Sequence, residues 1–312
     1  MSAYADTFER KEVKYRLDAG QLHAIGSALV GRMELDVYGR SRVSSIYFDT
    51  PDHSIVCRSL EKPLYKEKLR LRFYGAPAED GCVFLELKKK FKGIVYKRRV
   101  ACSFGAARDF LSGAPYPQAC RAHPLPDELA AAESVSPHSL QIVDEIDAFI
   151  ERHQPLEPSM LIVCDRMAFA PVGSPAAGGP GAAGFPAAPA PAPARSDAPT
   201  GQDDLRITFD FDISYRDLSS SASALGPFYA PAFRDMPLIR EGEAVMEVKS
   251  AGSFPLWLVH ALDGCRAYPT SFSKYGEAYK RCVALKQAGT APVHQQGAQG
   301  LRREAGEEVH RA

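Results

Sequence analysis

Apolar and polar residues alternate with a period of two over several short stretches of the chain, the signature of strands with one buried face. In residues 8–17, Val13, Tyr15 and Leu17 alternate with Arg10, Glu12, Lys14 and Arg16. In residues 65–74, Leu69, Leu71 and Phe73 stand against Lys68, Arg70 and Arg72. Residues 82–90 and 94–102 read as a hairpin turning near Phe91-Lys92-Gly93. Further strands are expected at 43–49, 159–169, 205–215 and 244–249. The period lengthens to that of a helix over 19–32, where Leu22, Ile25, Leu29 and Val30 share a face and Asp18 is placed to cap. Residues 255–262 and 274–287 also read as helices, and 104–153 as helical pieces divided by prolines. About eight mostly antiparallel strands with helices between and after them suggest a barrel or a sandwich.

One segment breaks the pattern. Residues 172–204 are rich in Pro, Ala and Gly, and the eight prolines from Pro171 to Pro199 are incompatible with a helix or a sheet. It reads as a disordered insertion in a single domain spanning 5–288, followed by a polar tail at 289–312. The 312 residues are 45% hydrophobic, ample for a sizeable core. Net formal charge is zero, which gives no reason to expect nucleic acid as a partner. The seven cysteines form no C-x-x-C pair, so reduced thiols in a cytoplasmic protein are expected. Residues 1–13 lack the apolar core of a secretory signal, and no run is long and apolar enough for a membrane span.

Charge is uneven: the first hundred residues hold 20 Lys and Arg against 13 Asp and Glu. The cations recur at strand spacing. Lys14, then Lys68, Arg70 and Arg72, then Lys88 beside Glu86, then Lys97 and Arg99 each occupy the polar face of a strand. Arg206 shares a face with Thr208, Asp210 and Asp212, and Lys249 shares one with Glu247. A wet outer sheet face explains any one of these strands. It explains the set less well, since Lys and Arg recur on strand after strand. In a closed barrel with its apolar faces turned outward under helices, the cations converge on a lumen. Such a lumen is tolerable only when an anion fills it. Arginine's planar fork suits phosphate oxygens and lysine adds point charge, while a few carboxylates among them can hold a hard divalent ion. The sequence has no G-x-x-x-x-G-K-[ST] loop, strand-linked G-x-G-x-x-G, H-E-x-x-H or G-x-S-x-G to suggest another chemistry.

The segments F-E-R-K-E-V-K-Y (from Phe8), S-I-Y-F-D-T (from Ser45), K-L-R-L-R-F-Y (from Lys68), F-L-E-L-K (from Phe84) and V-Y-K-R-R (from Val95) occur in order. D-R-M-A-F (from Asp165), R-I-T-F-D (from Arg206), M-E-V-K (from Met246) and S-K-Y (from Ser273) follow. No single one is specific, but together they resemble the VTC domain of polyphosphate polymerases, a branch of the triphosphate tunnel metalloenzymes (CYTH-like). The resemblance implies an α+β fold: an eight-stranded antiparallel β-barrel tunnel with flanking helices. It implies transfer of the γ-phosphate of ATP to a growing polyphosphate chain with Mn2+ or Mg2+. The positions matching its phosphate-binding residues are Lys14, Arg70, Arg72, Lys88, Lys97, Arg166, Arg206, Lys249 and Lys274. Arg10, Lys68 and Arg99 are additional candidates. Glu247 matches the metal-binding glutamate, with Glu12 and Glu86 as further carboxylates.

Arg10 stands where the hydrolytic relatives carry the first glutamate of E-x-E-x-K, which tilts the expectation toward synthesis. Cys164 stands where eukaryotic members carry a phosphate-contacting tyrosine. Regulatory helices before the domain and a membrane anchor after it are not expected. A polymer channel, where one is involved, is therefore expected as a separate membrane protein, holding the chain at the inner face of the membrane. A tunnel-fold phosphohydrolase and a non-catalytic polyphosphate binder are the alternatives, both using the same cations.

Overall fold

The structure, a computed structural model, describes residues 11–92, 94–174, 205–219 and 235–288. Arg10, most of the Pro/Ala/Gly-rich segment and the tail from 289 lie outside the described residues. The elements run β1 (Lys11–Leu17), α1 (Ala19–Leu29), β2 (Met33–Leu35), β3 (Ser41–Asp49), α2 (Ser54–Leu60), β4 (Tyr65–Tyr74), β5 (Cys82–Phe91) and β6 (Ile94–Ser103). There follow α3 (Phe104–Leu111), α4 (Tyr116–Ala122), α5 (Glu128–Ser134), α6 (Pro137–Arg152), β7 (Glu157–Pro171) and β8 (Arg206–Asp217). The last are β9 (Met236–Pro237), β10 (Ala244–Ser250), α7 (Leu256–Gly264) and α8 (Lys274–Gln287).

Eight strands form one antiparallel path, β1-β10-β8-β7-β3-β4-β5-β6, with the short β2 and β9 paired to β7 and β8. The expected barrel is therefore an antiparallel sheet of the right strand number whose backbone ladder does not close, since β1 and β6 end the path among the described residues. Side chains bridge the gap instead. Lys88 Nζ on β5 comes within 3.9 Å of a Glu12 carboxylate oxygen on β1. The sheet thus curls until its two ends face each other.

The helices lie where the period-two pattern demands. Leu69, Leu71, Leu85, Leu87 and Val100 form a buried cluster with Ala106, Phe110, Tyr116, Ile142, Ile146 and Phe149 from α3, α4 and α6. A second cluster joins Tyr15, Leu17, Ile207, Phe209, Met246 and Val248 to Ile25 and Leu29 of α1 and to Leu258 and Leu262 of α7. These two cores cover the convex side of the sheet. Asp18 caps α1 as expected, accepting from the Gln21 amide at 2.9 Å while Gln21 Oε1 accepts from the Asp18 amide at 3.1 Å.

The concave face departs from the expectation of uniform charge. A third cluster, containing Val43, Met160, Ile162, Cys164, Ile213, Tyr215 and Val245, packs against Val56 of α2 and Tyr275 and Ala278 of α8. The cause lies in β8. Asp212 adopts φ 48°, and the register between β7 and β8 shifts beside it. The extra residue flips the alternation, so Asp210 before it and Ile213 and Tyr215 after it take the same face. Asp212, expected on the face of Arg206, instead pairs with Arg40 at 2.7 Å. Part of the concave face is thereby apolar and occupied by α8, and the charged groups gather in the remainder.

The buried Asp49 at the end of β3 anchors α2 and α8. It accepts from the Ile55 amide at 2.9 Å, the Val56 amide at 3.0 Å and the Tyr275 hydroxyl at 2.6 Å. All seven cysteines are free thiols. No helix among the described residues is long and apolar enough to cross a membrane.

Candidate active site

Three groups of ion pairs occupy the charged part of the concave face. The first is set by cross-strand register. Arg70 on β4 stands opposite Glu86 on β5, and Glu86 opposite Arg99 on β6. Glu86 is only 1% exposed. Arg70 Nε donates to its Oε2 at 2.6 Å, while Arg99 Nε at 2.6 Å and Lys97 Nζ at 2.7 Å reach Oε1. Arg72 Nε stands 3.8 Å from Oε2 and donates to Ser45 Oγ at 3.3 Å. Burial alone would raise the Glu86 pKa, but the four cations hold it well below the ordinary carboxylate value. Glu86, expected beside Glu12 and Glu247 as a metal ligand, instead has both oxygens occupied by cations and serves as the counter-charge that holds them.

The second group centres on Asp210 of β8. Arg166 of β7 approaches it bidentately, Nε at 2.7 Å and Nη2 at 2.9 Å. Lys274, the first residue of α8, donates to Asp210 Oδ2, and Cys164 Sγ lies 3.7 Å from Oδ1. Burial opposes ionisation of Asp210, yet Lys274 and Arg166 drive its pKa far down.

The third group joins β1 and β10. Lys14 Nζ lies 3.4 Å from Glu12, 3.5 Å from Glu247 and 3.3 Å from the Phe272 carbonyl it donates to. Lys249 Nζ approaches Glu247 at 2.5 Å. Against the effect of burial, Lys249 and Lys14 bring the Glu247 pKa down to about 2. Arg206 stands in register with Lys249, and its guanidinium donates to the Leu205 carbonyl at 3.1 Å.

A different arrangement links these groups. Lys68 stands directly opposite Lys88, and Lys88 directly opposite Lys97, so three lysines form one row across β4, β5 and β6. Like charges directly opposite each other destabilise a sheet. Lys68 Nζ donates to Ser273 Oγ at 3.2 Å, and Lys88 has Glu12 at 3.9 Å. Burial and the neighbouring Lys66, Lys88 and Lys14 push the Lys68 pKa down to about 8. Burial, Arg99 and Arg70 do the same to Lys97, also to about 8.

The structure brings the described candidates onto one face, with Arg206 in register with Lys249 beside the third group. It also adds residues not singled out from the sequence. Asp210 is the counter-charge of Arg166 and Lys274. Tyr47, inside S-I-Y-F-D-T, accepts from Arg70 Nη1 at 3.1 Å and stacks on Tyr275 at 4.8 Å between ring centroids. Burial would raise the Tyr47 phenol, but Arg70, Arg72 and Lys68 bring it down to about 8. The alternation of Ser45, Tyr47 and Asp49 with Ile46 and Phe48 was the signal available for it.

Among the described residues no three His, Cys, Asp or Glu side chains are grouped to hold a metal ion. Glu12 and Glu247 both contact the Lys14 ammonium. A divalent ion held by one or two carboxylates and completed by substrate phosphate oxygens suits such a pair, as Mg2+ sites commonly are. The donor set fits on that condition.

The family model of the VTC domain matches residues 9–175 and 198–283, skipping 176–197 within the Pro/Ala/Gly-rich segment. No curated protein matches the chain. Among solved structures, a candidate adenylate cyclase of Vibrio parahaemolyticus is 11% identical, with 88% of this chain and 97% of that one covered at a TM-score of 0.35. The PH1819 protein of Pyrococcus horikoshii is 11% identical, with 87% and 98% covered at a TM-score of 0.34. A chain of the Schizosaccharomyces pombe Mediator head module is 10% identical, with 89% and 94% covered at a TM-score of 0.31. Overlaps this loose carry no argument about chemistry.

The charge arrangement fixes a pH dependence of the free protein. Lys68 and Lys97 have folded pKa values of about 8, below their ordinary 10.5. Between those values the unfolded chain binds more protons, so stability rises with pH. Tyr47, lowered from 10.0 to about 8, acts in the same sense. The thiols of Cys102, Cys164 and Cys282, whose pKa values are raised by burial, act in the opposite sense, so the row is read as a difference. The urea-unfolding stability of the native protein minus that of the Lys68→Gln/Lys97→Gln variant is expected to rise from pH 8 toward 10, and a difference that stays flat or falls contradicts the row's electrostatics.

Proposed function

The chain belongs to the VTC domain family, and from that premise we propose that it is a polyphosphate polymerase. It transfers the γ-phosphate of ATP to a growing inorganic polyphosphate chain held against the concave cation face. Family membership makes it a polyphosphate-related tunnel protein and supports phosphoryl-transfer chemistry. The finer reading is carried by one observation, the row of Lys68, Lys88 and Lys97 standing directly opposite one another with less counter-charge than they need. A polyanion supplies what is missing.

Phosphoryl transfer asks mainly for positioning and charge neutralisation. In this reading Arg70, Arg72, Arg99 and Arg166 grip phosphate oxygens, since each guanidinium has more donors than its carboxylate occupies. Glu86 and Asp210 keep those guanidinium groups aimed before substrate arrives, so little reorganisation is needed on binding. Lys14, Lys88, Lys97, Lys249 and Lys274 add charge around them. Glu12 and Glu247 are the carboxylates that would hold Mn2+ or Mg2+. Such an ion, when bound, would supply neutralisation of the negative charge that develops on transfer. ATP as donor and seven free thiols accord with a cytoplasmic protein, with a separate membrane protein as its partner where polymer crosses a bilayer.

The activity is tested by incubating purified protein with labelled ATP and Mn2+ and sizing the products. ADP and a polymer sensitive to exopolyphosphatase are expected. Orthophosphate released in step with ATP consumption, with no polymer at any time, would favour the phosphohydrolase instead. Arg72 separates binding from stability, because its carboxylate contact is the longest of the four on Glu86 and burial beside Arg70 disfavours its charge. Arg72→Ala is expected to lose about 2.7–4 kcal/mol of transition-state stabilisation, or about 10²–10³-fold in turnover. Its unfolding midpoint should be equal or higher, and normal turnover would remove Arg72 from the site. Glu247→Gln is expected to weaken Mn2+ binding on the order of 10- to 100-fold. That binding is read by calorimetry with triphosphate present. Undiminished binding would reject Glu247 as a ligand.

A further inference from the structure

The cation rows continue past Lys68, Lys88 and Lys97. One step nearer the turn between β5 and β6, Lys66 stands directly opposite Lys90. Alternation places both on the face that carries Lys68 and Lys88. Lys66 is half-buried, and its ammonium donates to the Ser59 carbonyl at 3.3 Å, in the last turn of α2. Lys62 and Lys92, both exposed, flank the row in left-handed backbone conformations, and the Lys92 amide donates to the Leu64 carbonyl at 2.9 Å. That last bond ties the loop after α2 to the hairpin turn.

Counter-charge is sparse here. Glu67 has Arg152, His153 and Tyr65, Glu145 has Lys89 and Arg98, and Glu12 has Lys14 and Lys88, while the exposed Glu61, beside Lys62 in the chain, pairs with none of these lysines. No ion pair among the described residues reaches Lys62, Lys66, Lys90 or Lys92. Burial and the adjacent Lys90 and Lys62 push the Lys66 pKa down, so these ammonium groups sense one another.

We propose that Lys62, Lys66, Lys90 and Lys92 form an outer anion subsite, which holds the far part of a linear polyphosphate whose near end lies against the arginines around Glu86. The assignment rests on the polyphosphate reading above and extends it to where the polymer leaves the protein. Geometry supports the division of labour. Lys66 lies four residue steps from Arg70, about 13 Å along the strand. A triphosphate seated at the Arg70 row does not span that distance together with its own binding groups, whereas a longer chain does. The bland alternative is that these lysines merely keep the hairpin at the end of the sheet soluble.

The test compares two ligands on the full chain. Native protein and the Lys66→Gln/Lys90→Gln variant are titrated by calorimetry with tripolyphosphate and with long-chain linear polyphosphate, without ATP or metal. The variant is expected to bind tripolyphosphate like the native protein. Its affinity for the long chain is expected to fall about tenfold, and the dependence of log affinity on log salt to become shallower by about 2, one for each removed phosphate contact. Equal weakening of both ligands, or long-chain binding that is unchanged, overturns the subsite. Matching melting temperatures of the two proteins show that the variant is folded. Binding needs no turnover, so a chain that makes no polymer from ATP defeats the polymerase reading while this comparison still stands or falls on its own.

Discussion

Repulsion among cations confined to one concave surface is the constraint around which the molecule is built. Among the described residues nine cations pair with four carboxylates there, Glu12, Glu86, Asp210 and Glu247, which leaves five positive charges in excess before Lys68 is added. A structure with this excess must be held from outside. The two convex cores do so, packing apolar residues from every strand of the main path under helices. The buried carboxylates have the complementary role. Removing one partner of a buried ion pair is commonly far more costly than the pair's net contribution. Glu86, shared by four cations, is the most exposed to that asymmetry.

The concave face also has to be closed where no anion is wanted. The bulge at Asp212 and the helix α8 achieve this together. By shifting the alternation, the bulge presents Ile213 and Tyr215 inward, and Tyr275 and Ala278 of α8 pack on them. The start of the same helix faces the charged region, with Lys274 on Asp210 and Ser273 accepting from Lys68. Tyr275 joins the two environments. Its hydroxyl donates to Asp49 and its ring stacks on Tyr47, whose oxygen accepts from Arg70. The orientation of Arg70 is thereby tied to the seating of α8.

How much of this was legible in the sequence depended on whether period two ran unbroken. It does so in β1, β4, β5 and β6, and there Lys14, Lys68, Arg70, Arg72, Lys88, Lys97 and Arg99 lie on the face the alternation assigns them. It fails in β8, because a single left-handed residue cannot be seen in a pattern of side-chain polarity. Helix α2, only seven residues long, gave too short a period to register. Glu86 and Glu247 look alike in sequence, each an acid two residues before a lysine on an apolar strand. Only the register, which sets Glu86 between Arg70 and Arg99 and Glu247 between Lys14 and Thr208, distinguishes a counter-charge for arginines from a carboxylate bonded only to lysines. Asp210 was passed over for a related reason, since its two partners, Arg166 and Lys274, come from segments far away in the chain.

Arginine and lysine are not distributed alike over this surface, and the difference bears on how a polymer could be held and released. The guanidinium groups lie deep: side chains of Arg70, Arg72, Arg99 and Arg166 are 10–27% exposed. The lysines of the outer row are more open, Lys88 at 42% and Lys97 at 43%. Buried arginine keeps its charge, whereas lysine yields its proton when desolvated among other cations. The deep part of the site therefore carries a fixed charge, and the outer row a charge that adjusts to its occupant. With Lys68 and Lys97 at about 8, both are mostly protonated at neutral pH and yield protons through the alkaline range while the face is vacant, which an occupying polyanion would reverse. Under the proposed reading, a polymer would then meet a fixed charge at the arginines and a softer one along the lysine row.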